Sequence, residues 1–568
     1  MKNVGAVLLD TRGIQRYVFA SNKLKTNIGA SYLVDAIFQT PVNQVLTEMG
    51  LTFPKDWRST VPLQMTKDTT TTAEIAYIGG GNMLLFFRPL QGDAISVARQ
   101  FVSRWSEKLL VYTPGLQTGA AVGEFDLDDF QNSLNRLYKA LKENQANIMP
   151  QVDLPYTGVS LECDFNSKTA NVFSRKAGNR YVSSEVDAKL RAADCADGRL
   201  KEIYSTILQY KGLQLKFADD FNLLGYKQGE SYIAVIHIDG NNMGVKFSHC
   251  RDREERRDLS ITVANAVTTA FEELVTKIVK EYLEDHSYDK YLDLKTLLGQ
   301  EDSVILPIRP IIIGGDDITF ITPGRLGLHY ANYFIRCANR QLLLDEEQKA
   351  HFESCANQGS EQKFNINSHL SCCAGVAIVP AKYPFFRAYT LAEELCSNAK
   401  KQSRQDDSSW LDFAVLHGET YPSLEMLRES QYKGIPSENG RDCQMHYGPY
   451  RIDVSPENKG SKSLRRLFTL HSKLKEAHKN SSNKIKLLRE TLFNDRHSQE
   501  IFLENDYGMV KLLEKESSRN KPGSLKQIGA ADLWEIENIN GTDVETTRYI
   551  DAIEIDDFMI TGLEGENK

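Results

Sequence analysis

Residues 310–322 read PIIIGGDDITFIT. Branched apolar residues flank a Gly-Gly-Asp-Asp centre, the pattern of two strands joined by a tight turn. Upstream, SYIAVIHID (231–239) is an apolar, strand-like run ending in an acid, and GNNMG (240–244) follows as a turn. Residues 258–284 carry apolar side chains at helical spacing, and 285–306 are polar. Downstream come a helix-like stretch at 325–346, a polar insertion at 350–366, the strand-like HLSCCAGVAIVP (369–380), the amphipathic AYTLAEELCSNAKKQSR (388–404) and a last strand, LDFAVLHG (411–418). The order β-α-β-β-α-β-α-β predicts a ferredoxin-like sheet with helices on one face.

Such a sheet sets the end of its first strand beside the tip of its central hairpin, so Asp239 is expected next to Asp316 and Asp317. Three carboxylates that close repel one another and are costly to desolvate unless cations neutralise them. Mg²⁺ or Mn²⁺ suits an all-oxygen set completed by substrate phosphates. Two such ions, roughly 3.5–4 Å apart, would activate a 3′-hydroxyl and neutralise a triphosphate. Gly314 and Gly315 let the hairpin turn sharply and admit a phosphate or metal close to the backbone. GNNMG offers the Gly240 carbonyl as a further ligand and backbone N–H groups around Asn241, Asn242 and Gly244 for phosphate. Lys400 and Arg404, four apart on the late helix, share a face and could clamp a triphosphate. Each feature has a plainer counterpart: a solvated hairpin, a capped turn, a basic helix end. The strand-terminal acid paired with the GGDD turn favours the metal site. His237 points to the same face as Asp239, either lining the site or satisfied structurally.

The N-terminal region repeats the order. VGAVLLD (4–10) is a strand ending in Asp10, residues 14–40 are helix-like, and EIAYIGGGNMLLFFRP (74–89) is a hairpin turning at Gly79-Gly80-Gly81-Asn82. A helix over 93–110, the strand LQTGAAVGEF (116–125) and a further helix complete it. Asp10 thus corresponds to Asp239 and GGGN to GGDD, with the paired acids lost. The expected architecture is α+β: a degenerate first palm (1–140), an irregular, polar insert (141–228), a second palm carrying GGDD (229–420) and a helical C-terminal domain (421–568), closed by IDAIEIDDFMI (550–560) as a short strand or packing segment.

The chain has 568 residues and a net charge of −8, so it carries no overall basic footprint for nucleic acid. That balance disfavours a template-directed polymerase, which needs a basic duplex channel. Nine cysteines lack any CxxC pair, which argues for reduced thiols in a cytoplasmic protein and against a disulfide framework or structural zinc. Neither a signal peptide nor a membrane span is expected. Residues 462–495 are basic and helical, either a solvated face or a surface for RNA or an acidic protein partner.

AVIHIDGNNMG (234–244) followed by PIIIGGDDITFIT resembles the second palm of the large, polymerase-like subunit of type III CRISPR effector complexes, a group related to GGDEF cyclases. The family's first motif commonly reads DGDNMG, so Asn241 stands where a second acid is usual. LAEELCSNAKKQSR (391–404) resembles the late helix whose lysine meets the triphosphate, here Lys400. LLDTRGIQRYVF (8–19) resembles the opening of the first palm. The resemblance implies joining of ATP into cyclic oligoadenylates or related cyclic dinucleotides, second messengers that switch on a downstream defence effector. Two ATP molecules would lie between the palms, with Gly80, Gly81 and Asn82 cradling one. Other effector-complex subunits or RNA would dock through the C-terminal region. With no His-Asp dyad and no zinc-binding cysteine pairs, a compact or stand-alone relative without DNA cleavage is expected. The competing expectation is a non-catalytic ATP-binding or RNA-sensing scaffold subunit, which Asn241 favours.

Overall fold

The structure is a computed structural model describing residues 3–59, 63–88, 93–147, 156–226, 231–293, 303–357, 365–404, 406–437, 439–452, 462–479, 481–520, 528–539 and 541–560. The chain is mixed α and β. Strands β1 (Asn3–Arg12), β2 (Ala73–Gly79), β3 (Asn82–Phe87) and β4 (Gln117–Asp126) form a four-stranded sheet in the order β2-β3-β1-β4. Strands β5 (Tyr232–Gly240), β6 (Arg309–Gly314), β7 (Asp317–Pro323) and β8 (Cys372–Pro380) repeat that order as β6-β7-β5-β8. Here β9 (Trp410–Val415) and β10 (Tyr450–Arg451) extend the edge beyond β8.

The repeat extends to register. Asp10 faces Asn82 on one side and Gly119 on the other; Asp239 faces Asp317 and Cys373. Each central hairpin shifts register at an equivalent place, between Ile75 and Tyr77 in the first copy and between Pro310 and Ile312 in the second. A shared irregularity of this kind marks a common backbone plan.

The 14–40 stretch is not one helix. It breaks into Ile14–Val18, α1 (Leu24–Ala36) and a further helix beginning at Thr40, where Pro41 fits only a first turn. α2 (Ala94–Tyr112) and α3 (Phe130–Asn147) complete the first copy. The polar insert holds α4 (Ser184–Ile203), capped by the Ser183 hydroxyl, with Glu185 and Asp187 in its first turn. Its buried face is largely alanine plus a Lys189–Glu185 ion pair, so few large apolar residues advertise it. α4 lies so close to α1 that a Cβ on Gly29 would fall 1.7 Å from the Lys189 carbonyl oxygen. In the second copy α5 (Arg253–Val279), α6 (Gly327–Ala338) and α7 (Phe385–Ser403) cover the sheet.

The C-terminal region holds α8 (Leu464–Ala477), α9 (Ser482–Leu492), α10 (Arg496–Asn505) and α11 (Tyr507–Asn520), but it is not purely helical. A hairpin of Glu535–Ile539 with Thr542–Thr546 pairs with Cys443–Gln444. The closing segment is helical, α12 (Tyr549–Glu554), rather than a strand: Tyr549, Ile550 and Ile553 fall on a helical stripe that is buried. His446 ties this region to the second sheet. Its Nε2 lies 3.0 Å from Asp412 Oδ1 on β9, and its Nδ1 lies 3.1 Å from Asp551 Oδ1 on α12. Burial and the nearby Arg428 oppose protonation, yet Asp551 and Asp412 override them and push its pKa up to about 9.

Two outcomes follow. A raised histidine pKa stabilises the fold fully below its ordinary 6.5, and that contribution is lost as pH rises through about 9. The melting temperature of the wild type should therefore fall between pH 6.5 and 9.5 more steeply than that of His446→Gln, measured by calorimetry. Gly375 on β8 has no room for a side chain, because a Cβ would sit 1.8 Å from the Ala392 carbonyl oxygen of α7. Gly375→Ala should cost about 1–3 kcal/mol or more, read as a lowered melting temperature.

Candidate active site

Strand pairing alone assembles the carboxylates. β5 and β7 are antiparallel with Asp239 opposite Asp317 and His237 opposite Thr319. Alternate residues of a strand share a face, so these four side chains project together. Asp316 lies at the turn, where its carbonyl accepts the Gly240 N–H at 3.1 Å. Position 240 requires glycine: a Cβ there would stand 2.8 Å from Cβ of Asp316.

The cation comes from α7. Lys400 Nζ donates to Asp239 Oδ2 at 2.6 Å and to the Gly240 carbonyl at 3.0 Å. Burial disfavours the ammonium, but Asp239 outweighs it and raises the Lys400 pKa. Burial first, then the charge of Asp239, drives the Asp317 carboxyl far above the ordinary range; the same causes and Asp317 itself raise Asp316. One oxygen of Asp317 is buried without a hydrogen-bond partner among the described residues, with His237 Nδ1 3.3 Å away. His237 spends its hydrogen bond on Thr319 Oγ1 at 3.1 Å, and burial lowers its pKa, keeping it neutral. Among the described residues no set of three or more His, Cys, Asp or Glu side chains has converged into a metal cage.

The expected phosphate turn is built differently. Asn241 is buried, and its amide donates to the Ser408 carbonyl at 3.0 Å. Asn242 adopts a positive φ of 56° and donates to Asp407 Oδ1 at 2.9 Å. Asp407, itself buried, also accepts from Asn367 N and Ser371 Oγ and lies 3.4 Å from the buried Lys246 Nζ. Both asparagine amides therefore tie the turn to the 407–408 segment. Gly244 is exposed inside a six-residue helix, and Arg404 is the exposed C-cap of α7, one residue beyond its last turn.

The first copy shows what the second has kept. Asp10 accepts from Gln145 Nε2 at 2.7 Å; Gln145 lies near the end of α3 as Lys400 lies near the end of α7, so a neutral amide stands where the second copy has an ammonium. Asn82 turns back to donate to the Gly80 carbonyl at 2.9 Å. Gly80 and Gly81 both have positive φ, 59° and 76°, whereas within the matching Gly314–Asp317 turn only Gly315 does, at 59°. Position 316 can therefore hold an aspartate without the penalty of a left-handed backbone. The Gly81 carbonyl accepts from both Thr11 N and Thr11 Oγ1. The two turns meet: a Cβ on Gly315 would lie 3.5 Å from the Gly80 nitrogen, and Ser260 of α5 donates to the Ile78 carbonyl at 2.6 Å.

Sequence reasoning missed Glu393 and Tyr389, which share the site-facing stripe of α7 with Cys396 and Lys400 at spacings of four, three and four. Glu393 adds negative charge felt by both Asp317 and His237. The helical spacing from Lys400 was the available signal. The cluster has a measurable cost: Asp316→Asn should raise the melting temperature in chelator-treated protein, by on the order of 1 kcal/mol in stability, because it removes one half-buried, mutually repelling charge.

Residues 232–409 match the family model "Cas10/Cmr2, second palm domain". That match bears out the resemblance read from the GNNMG and GGDD segments. No curated protein matches. Among solved structures, a Csm1-Csm4 cassette in complex with cA4 aligns at 12% identity over 92% of this chain and 67% of that one, with a TM-score of 0.46. The apo cassette gives 13%, 91%, 67% and 0.45. The cassette in complex with AMPPNP gives 12%, 72%, 54% and 0.39.

Proposed function

We propose, starting from the Cas10/Cmr2-type second palm, that the protein is a nucleotidyltransferase that joins ATP into cyclic oligoadenylate or cyclic dinucleotide messengers for antiviral defence. The observation that carries this is the pairing of Asp239 with Asp317 beside Asp316, with Lys400 on the same face. The proposed division is a degenerate first palm (1–140), an insert (141–228), the second, catalytic palm (229–420) and a C-terminal domain (421–568). Effector-complex subunits or RNA would engage the C-terminal domain. Many of its basic residues are already paired, Lys462 with Glu537, Lys475 with Asp556 and Arg489 with Glu554, which favours a protein partner over a nucleic-acid backbone.

The residues present fit a hard divalent cation. Asp239, Asp316, Asp317 and the Gly240 carbonyl are all oxygen donors, and an Asp317 oxygen is buried without a hydrogen-bond partner among the described residues. Mg²⁺ or Mn²⁺ bound there would neutralise the triphosphate and make a 3′-hydroxyl easier to deprotonate. The chain does the rest. Lys400 is within reach to exchange Asp239 for a phosphate oxygen as negative charge arrives. The abutting turns at Gly80 and Gly315 hold the two copies at a fixed separation, so two nucleotides held one on each copy would be oriented for in-line attack. The first copy, with Gln145 and Asn82 in place of charge, would hold its nucleotide without metal.

Incubation with ATP and Mg²⁺ or Mn²⁺, with and without candidate activating RNA, should yield cyclic oligonucleotides by mass spectrometry. Asp316→Ala/Asp317→Ala should lower the yield by at least a thousandfold. ATP binding by calorimetry with no product under any condition, and no difference between variant and wild type, would instead establish a non-catalytic nucleotide-binding scaffold. The buried, uncharged Asn241 is the feature that favours that outcome.

A further inference from the structure

Tyr389 is almost wholly buried on α7, and its hydroxyl lies beside Gln15 of the first copy. The ring is fixed from both copies. Phe19 of the first copy stacks on it with centroids 3.8 Å apart, and His237 of the second meets it edge-on at 5.5 Å. Phe19 also packs against Phe385 at 5.6 Å, and the Phe385 N–H, at the start of α7, donates to Asn22 Oδ1 at 3.0 Å. The segment that follows the first copy's own strand-end acid therefore grips the helix that carries Lys400. Through Tyr389 it also reaches His237, 3.3 Å from Asp317.

We infer that Tyr389 is a positioning residue through which Gln15 and Phe19 of the first copy set the orientation of His237 and Asp317 in the second. This rests on the proposed nucleotidyl transfer only for where the effect is felt; the geometry stands without it. Three physical points support it. His237 and Thr319 already hydrogen-bond, so the remaining freedom of the imidazole is rotation against Tyr389. An imidazole 3.3 Å from Asp317 can steer its carboxyl group, as residues behind metal-binding carboxylates do. The Tyr389 hydroxyl meets Gln15 across the contact between the two copies, so a displacement on one side is felt on the other.

Three variants test this: Tyr389→Phe, which removes only the hydroxyl; Gln15→Leu; and the double variant. Two readouts are needed, Mn²⁺ affinity of the protein alone by calorimetry and kcat separately from KM for ATP. Tyr389→Phe should melt close to the wild-type temperature while weakening Mn²⁺ binding about threefold to tenfold and lowering kcat by a similar factor with KM little changed. Gln15→Leu should do the same, and the double variant should be no worse than either single one, because the two act as a unit. Wild-type Mn²⁺ affinity in both single variants, or losses that multiply in the double one, would overturn the inference. A melting temperature that falls in step with Mn²⁺ affinity would reduce Tyr389 to packing and would likewise overturn it. If the wild type makes no product but the Mn²⁺ series behaves as described, the proposed reaction fails and the positioning role stands.

Discussion

Antiparallel pairing of β5 with β7 is the constraint on which everything else depends. It puts Asp239 opposite Asp317 with no freedom to separate them, since sliding the strands by one residue would exchange the two buried faces of β5 and repack both. The chain then has to manage concentrated negative charge. Lys400 supplies a counter-charge from α7, Gly240 yields space so that Asp316 can approach, and His237 sits beside Asp317 without adding charge of its own. Gly375 belongs to the same solution, because Lys400 reaches Asp239 only if α7 lies nearly on the backbone of β8.

The two copies show how one backbone plan supports different chemistry. Strand order, register and hairpin irregularity are shared. Around the strand-end acids the differences lie in what the turn and the late helix present: Asn82 against Asp317, Gln145 against Lys400, and glycine with left-handed backbone against Asp316. Each replacement in the first copy is neutral where the second copy is charged. The first site is therefore a polar, low-field version of the second, at little apparent expense to the fold.

Most of the second sheet was legible because its signals are local: apolar runs of strand length, a GGDD turn and a helical stripe. The repeat was legible because GGGN and Asp10 fall at matching places in the same element order. The insert's helix was not, since its packing face is alanine and a lysine–glutamate pair rather than leucine and valine. The roles of Asn241 and Asn242 were also hidden. Their partners, Ser408 and Asp407, lie more than 160 residues further on, and no local pattern connects a turn to a loop at that distance. The closing segment read as a short strand or packing segment because its isoleucines suit both periods; burial of Tyr549, Ile550 and Ile553 together decides for the helix.

The contact between Gly80 and Gly315 joins two unlike turns within one polypeptide. In a symmetric dimer of single palms the corresponding contact would be isologous, and any substitution would appear on both sides at once. A turn that lost its acids would then disable both sites together. Covalent linkage lifts that restriction: here one turn has become glycine and asparagine while the other keeps its aspartates, and each side can drift toward its own ligand. The molecule is in effect a heterodimer whose stoichiometry and orientation are guaranteed by the chain, and selection can act on one half without consulting the other.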